Sequence, residues 1–146
     1  ERTGVRLSPH SQAGDLAAYE GVDEAVAHIA RELAAQGVGY IHMVDHSAMG
    51  GAAVPDATVD AIRGGFPGTF IRTGGFTAET AEALLAAGGA DLVGFGRPFI
   101  SNPDLVERFA SGAPLADPDP STFYAPGPNG FEQGYTDYPA LTEAAV

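Results

Sequence analysis

The sequence has no cysteine, which removes disulfides, thiolate nucleophiles and Cys-ligated metal or iron–sulfur centres, and fits a reducing, cytoplasmic setting. Basic residues are scarce as well: seven Lys+Arg face nineteen Asp+Glu, a formal charge of -12. Such a surface disfavours nucleic acid or anionic membrane as a general partner, because phosphate backbones reward basic proteins. An anionic ligand would therefore need a local positive site. No apolar run is long enough to span a bilayer. No initiator Met, basic n-region or apolar h-region precedes Glu1, so neither a signal peptide nor a natural start is visible, and a fragment or processed product is expected. Neither a G-x-S-x-G elbow nor a P-loop occurs, and no pair of histidines on a predicted helix suggests a metal site. A self-contained hydrolase or nucleoside triphosphatase thus has no support.

What remains is a globular chain of 146 residues, 45% hydrophobic, long enough for one domain or part of a larger one. Its patterning repeats. Gly4 to Pro9 is β-rich; Val22 to Ala35 carries Val22, Val26, Ile29 and Leu33 at helical spacing and is stopped by Gly37. Val38 to Val44 predicts a second strand, and Asp45 to Pro55 a loop leading to a short helix over Asp56 to Arg63. Gly68 to Thr73 predicts a third strand; Thr77 caps a helix ending at Gly88-Gly89. Asp91 to Gly96 predicts a fourth strand, then a turn and a helix from about Pro103 to Ala110. Four strand–helix units in residues 1–110 imply parallel strands, hence an open α/β sheet or part of a (β/α) barrel. Residues 111–146 hold six of the eleven prolines and five of the thirteen Phe and Tyr residues. With Phe123, Tyr124, Phe131, Tyr135 and Tyr138, this is a tail expected to pack on the barrel rather than a fifth unit.

The chemistry concentrates after the third and fourth strands. Thr73-Gly74-Gly75-Phe76 and Gly94-Phe95-Gly96-Arg97 repeat one pattern, in which glycine lets backbone amides approach a phosphate and Arg97 supplies the positive charge. A lone Gly-Gly would be a tight turn; two such sites one unit apart, with an arginine, favour anion binding. Arg6 alternates with Val5 and Leu7, so it points into the lumen if those two face the helices. A buried arginine there needs an anion, either a carboxylate or a ligand. Arg72 is read as a salt-bridge partner. His28 falls on the first helix and His42 in the second strand, while His10 and His46 follow strand ends, where pocket-edge residues gather.

These residues carry a family resemblance. The run Ala90-Asp91-Leu92-Val93-Gly94-Phe95-Gly96-Arg97-Pro98-Phe99-Ile100-Ser101-Asn102-Pro103-Asp104-Leu105-Val106-Glu107-Arg108 closely resembles the last strand and following turn of the Old Yellow Enzymes, FMN-dependent ene-reductases. Gly4-Val5-Arg6-Leu7-Ser8-Pro9 is similar to that family's fifth strand, Phe70 to Phe76 to its seventh, and Phe123-Tyr124 with Gly134-Tyr135-Thr136-Asp137-Tyr138-Pro139 to its C-terminal tail.

The resemblance implies the C-terminal half, strands five to eight, of a (β/α)8 TIM barrel with FMN at the C-terminal face of the strands. Under it, Arg6 would meet the flavin near N1 and the C2 carbonyl, where reduction places negative charge. Gly74, Gly75, Gly96 and Arg97 would hold the phosphate. Phe123 and Tyr124 would border flavin and substrate cavity, Tyr124 being the substrate-pocket candidate. The family passes hydride from NADPH or NADH to FMN, then to the β-carbon of an activated alkene such as an enone, enal or maleimide. Its substrate-binding His/Asn or His/His pair and its proton-donating tyrosine come from the N-terminal half, so this chain by itself is expected to be inactive. Pro9-His10-Ser11 departs from many relatives, which carry an aromatic residue or glycine after the proline.

Four parallel strands would leave two unpaired edges and a half-lumen of apolar side chains to be covered. The implied partner is a polypeptide supplying strands one to four, as in a split, nicked or permuted enzyme. The alternatives are a non-catalytic half-barrel that pairs with itself and binds FMN or another phosphate ligand, and a fragment of another phosphate-binding barrel, against which the tail motif argues.

Overall fold

The computed structural model describes residues 2–12 and 19–141. The start at Glu1 and the last five residues of the expected tail lie outside that range. The described residues form an α/β fold with a four-stranded, all-parallel sheet in the order β1-β2-β3-β4. The strands are β1 (Gly4–Leu7), β2 (Tyr40–Val44), β3 (Thr69–Thr73) and β4 (Leu92–Val93). The helices are α1 (Val22–Ala35), α2 (Asp56–Gly65), α3 (Ala78–Ala86), α4 (Arg97–Ser101) and α5 (Leu105–Ser111), with single 3-10 turns at Ser47–Met49 and Pro120–Thr122.

Local chemistry sets most boundaries. Asp23 and Glu24 occupy the first turn of α1, where a carboxylate complements the helix dipole. Val22, Val26 and Ala30 recur at intervals of four and are buried on one stripe. Gly37 takes a left-handed φ of 70°, which ends the helix. At α3, Thr77 Oγ1 accepts from the Thr80 N–H, and Thr80 Oγ1 accepts in return from the Thr77 N–H, a reciprocal cap.

The sheet has two unlike faces. Ile41, Met43 and Phe70 are buried with Val26, Ala30, Val59 and Ile62 of α1 and α2, and Leu7 packs at the margin of this core. Burying Phe70 completely stabilises the fold by roughly 2–3 kcal/mol. On the opposite face, strand alternation and register place Arg6 beside His42, His42 beside Ile71 and Ile71 beside Leu92. That face is uncovered among the described residues: Arg6 is exposed, Tyr40 is 41% exposed and Leu92 53%. The half-lumen is accordingly mixed rather than apolar, since arginine, histidine and threonine share it with Tyr40, Ile71 and Leu92.

Two elements differ from expectation. The fourth strand pairs over Leu92–Val93, not Asp91 to Gly96, because glycine has no side chain to pack and loses the most entropy in a strand. Asp91 instead spends its side chain on the sheet margin, accepting from the Phe70 N–H at 2.7 Å and from Arg63 Nη1 at 2.8 Å. The segment expected to be a turn contains α4, which opens with Arg97-Pro98, proline being tolerated in a first helical turn where N–H groups lack partners.

By internal contacts the chain groups into two compact units, Glu1–Gly94 and Phe95–Val146. Helices α4 and α5 therefore belong with the tail, whereas the reading by pattern grouped residues 1–110 with the strands. Within the second unit, Arg108 of α5 is 6% exposed and donates to Asp104 Oδ1 at 2.7 Å, to the Pro114 carbonyl at 2.9 Å and to the Pro139 carbonyl at 3.2 Å. The other Asp104 oxygen accepts from the Leu141 N–H at 2.8 Å. A proline-rich segment with little regular hydrogen bonding is thus tied to α5 by this ion pair and to the end of α4 by Asn102, whose Oδ1 accepts from the Ala116 N–H at 2.8 Å.

Candidate functional site

In the first unit, Arg6 and the Gly74-Gly75 pair lie on or beside the open sheet. Arg6 makes no ion pair among the described residues. The expected buried arginine is exposed, because no element among the described residues covers its face of the sheet. His42, beside Arg6 in register, hydrogen-bonds Thr73 Oγ1 through Nε2 at 2.8 Å. Burial first, and then the Arg6 charge, hold its pKa below the usual histidine value. Both causes favour the neutral imidazole.

Gly74 and Gly75 have reasons of their own to be glycine. A Cβ on Gly74 would lie 2.8 Å from Asp45 Cβ, and one on Gly75 would lie 2.5 Å from Ala48 Cβ, at a φ of 73°. Both glycines seat the loop that follows β2. Asp45 organises that loop, its carboxylate accepting from the Ser47 N–H at 2.7 Å and the Val54 N–H at 3.1 Å. Burial alone would raise the Asp45 pKa, but the hydrogen bonds from Ser47 and Val54 and the Arg72 charge outweigh it and the net shift is downward. Arg72 forms no salt bridge within 4.0 Å among the described residues, contrary to expectation. Its guanidinium carbon lies 5.9 Å from the centroid of the Phe76 ring instead. Its Nε is buried without a hydrogen-bond partner, and burial lowers its pKa against the charges of Asp45 and Asp56.

The histidines after strand ends have distinct surroundings. His10 has a φ of 61°, and its Nε2 lies 2.9 Å from the buried Thr58 hydroxyl, which donates to Asp23. This chain ties the loop after β1 to the first turns of α1 and α2. His46 is half-buried and its Nδ1 has no hydrogen-bond partner. His28 is exposed on α1.

The second unit holds the remaining candidates. Gly96 precedes α4 with φ -101°, and no heavy atom lies within 4 Å of a Cβ built on it. Neither packing nor a positive φ demands glycine there, although its ψ of -86° lies outside the regular helical and strand regions. Arg97 follows, exposed. In the tail, Phe123 is half-buried and meets the rings of Tyr124 and Tyr135 edge-on, each at 6.5 Å, while Tyr124 is 98% exposed. A shallow depression lined by Arg63, Phe66, Pro67, Gly68, Thr69 and Asp91 lies at the N-terminal end of β3, the end away from Gly74.

The all-parallel sheet, with helices packed on one face and glycine turns after its strands, defines a parallel α/β protein. The chain belongs to the NADH:flavin oxidoreductase / NADH oxidase family, whose sequence model matches residues 1–116. It is 42% identical over 151 residues to a putative 12-oxophytodienoate reductase 12 of Oryza sativa subsp. japonica, covering 97% of this chain and 36% of that protein. It is 39% identical over 150 residues to 12-oxophytodienoate reductase 2 of Arabidopsis thaliana, covering 99% and 38%. Among solved structures it is similar to morphinone reductase, with a TM-score of 0.86, 40% identity and coverage of 99% of this chain and 38% of that one. The old yellow enzyme from Trypanosoma cruzi gives 0.80, 30%, 96% and 35%. The resemblance to the Old Yellow Enzymes is borne out, and the chain spans little more than a third of these relatives' length.

The lowered carboxyl pKa values set an acid limit on stability. Asp45 is one; Asp91 is another, held down by the Phe70 N–H and then by Arg63. A folded pKa below the unfolded one gives stability that is present above pH ~4 and is lost as pH falls through the folded value. Lowered His42 has the same sign, its contribution declining below about pH 6.5. Denaturation midpoints measured from pH 7 down to 3 are therefore expected to fall. Asp45→Asn is expected to cost about 1 kcal/mol at pH 7 and to flatten the acid limb of that curve.

Proposed function

We propose that this chain is the FMN-binding C-terminal half, strands five to eight, of an ene-reductase barrel that reduces activated C=C bonds such as those of enones, enals and maleimides. A preceding half-barrel supplies strands one to four. The observation that carries the reading is Arg6, a cation without an ion pair among the described residues, on the exposed sheet face of an otherwise acidic protein.

The residues fit FMN by their chemistry. FMN, when bound, relays hydride from NADPH or NADH to the β-carbon of the alkene. Arg6 gives its positive charge to the electron-rich side of the cofactor and stabilises charge that grows on reduction. Gly74, Gly75, Gly96 and Arg97 bind the phosphate, with backbone amides and one guanidinium replacing its water. Phe123 and Tyr124 would border cofactor and substrate from the tail, Tyr124, with its exposed phenol, being the substrate-pocket candidate. The open face with Tyr40, Ile71 and Leu92 is where the other four strands close the barrel.

Native mass spectrometry of the purified protein tests this in one spectrum. The expected species contains four further strands, on the same or a second polypeptide, plus the mass of FMN, and oxidises NAD(P)H in the presence of an enone. A homodimer that retains FMN and reduces no alkene would instead support a self-paired, non-catalytic half-barrel. A bare species without flavin would overturn both.

A further inference from the structure

The sequence pattern assigns no role to His42. It lies on the same sheet face as Arg6 and is its register partner across β1 and β2. Its Nε2 is held by the Thr73 hydroxyl of β3 at 2.8 Å. Gly94, which follows β4, completes the arrangement: a Cβ there would lie 2.3 Å from Thr73 Oγ1 and 3.6 Å from His42 Nε2. Three successive strands thus contribute one imidazole, one hydroxyl and one missing side chain to a single contact. Thr73 leads directly into Gly74-Gly75, and its carbonyl accepts from the Asp45 N–H at 2.7 Å, so the contact also braces the end of β3.

We infer that His42, clasped by Thr73 and given room by Gly94, is a positioning residue that fills the place beside Arg6 with an uncharged, hydrogen-bonded side chain, leaving the Arg6 charge for an anionic ligand. The inference deepens the proposed function and, for its ligand, rests on it. An arginine exposed on a sheet readily pairs with the nearest carboxylate; a carboxylate at position 42 would do so and would cancel the charge that the ligand needs. Imidazole satisfies Thr73 without that cost. The lowered His42 pKa agrees, and Arg6 is the charged group that acts on it.

The test uses the isosteric pair His42→Gln and His42→Glu in the complete protein that carries this chain, with and without Arg6→Met. His42→Gln keeps a neutral group within reach of Thr73, and its FMN dissociation constant is expected to stay within about threefold of the parent's. His42→Glu is expected to bind FMN at least about tenfold more weakly, and the midpoint potential of the bound flavin is expected to fall. In the Arg6→Met background the difference between Glu and Gln should vanish, which a merely structural role would not produce. Equal affinity of the two variants, or a difference that persists without Arg6, would overturn the inference.

A second readout does not depend on flavin. The His42 ring resonance, titrated by NMR without ligand, is expected to protonate at higher pH in Arg6→Met than in the parent; an unchanged titration overturns the inference. If the parent binds no FMN, the proposed function fails and this titration still decides the role of His42.

Discussion

Arg108→Ala is expected to release the tail. Its guanidinium holds three acceptors at once, Asp104 Oδ1 and the carbonyls of Pro114 and Pro139, from a site that is 6% exposed. Alanine would fill none of that volume and would leave the Asp104 carboxylate and both carbonyls without this donor. Hydrogen bonds from a charged donor contribute about 1.5–3 kcal/mol each, so a loss on the order of 3 kcal/mol is a conservative expectation for the second unit. Arg108→Lys is expected to recover little, because an ammonium on a flexible stem cannot present the planar fork that reaches three acceptors in different directions. Limited proteolysis checks this directly: cleavage within 112–141 should accelerate strongly in Arg108→Ala and nearly as much in Arg108→Lys. Equal protection of variant and parent would show that the tail is held by something other than this pair.

That ion pair is also a case of what the sequence could and could not reveal. Asp104 and Arg108 are four apart on a predicted helix, a spacing that reads as a routine surface pair. Its partners at Pro114, Pro139 and Leu141 are set by how an irregular tail returns, which no local pattern encodes. The same division runs through the fold. Helix α1 occupies the range its apolar spacing predicts, Val22–Ala35, since periodicity and a glycine stop are local signals. Strand β4 is shorter than its β-rich run because pairing is a property of the neighbour, here Ile71 and Arg72 of β3.

At the site, alternation placed Arg6 on the face away from the helices, and the register agrees. Its exposure was not legible, since that depends on which strands cover the face. His42 was assigned to its strand without a role, because the bond to Thr73 joins residues 31 apart. The salt bridge expected of Arg72 fails for a related reason: a charge in a strand identifies a need, while the side-chain path chooses between Asp45, Asp56 and the face of Phe76.

The glycines allow the sharpest separation of fold from ligand, because a side chain at Gly75 would meet Ala48 at a positive φ whereas one at Gly96 has no atom within 4 Å. Gly75→Ala is expected to destabilise the first unit by about 2–4 kcal/mol, combining the strain of an alanine at φ 73° with a methyl group placed 2.5 Å from Ala48 Cβ. Adding Ala48→Gly should restore the part due to the clash and leave the part due to the backbone. Gly96→Ala meets no atom within 4 Å and keeps a negative φ, so its unfolding midpoint should stay within about 0.5 kcal/mol of the parent's. Yet if the backbone at Gly96 is where the FMN phosphate comes close, a methyl group there intrudes on the ligand, and affinity for FMN should fall at least about tenfold, the equivalent of about 1.4 kcal/mol. Denaturation curves and flavin titrations on both variants therefore form a two-by-two comparison. A Gly96→Ala protein that is stable and binds FMN as the parent does would remove this glycine from the phosphate site, while a destabilised one would mean that the space beside it is taken by another part of the assembled protein.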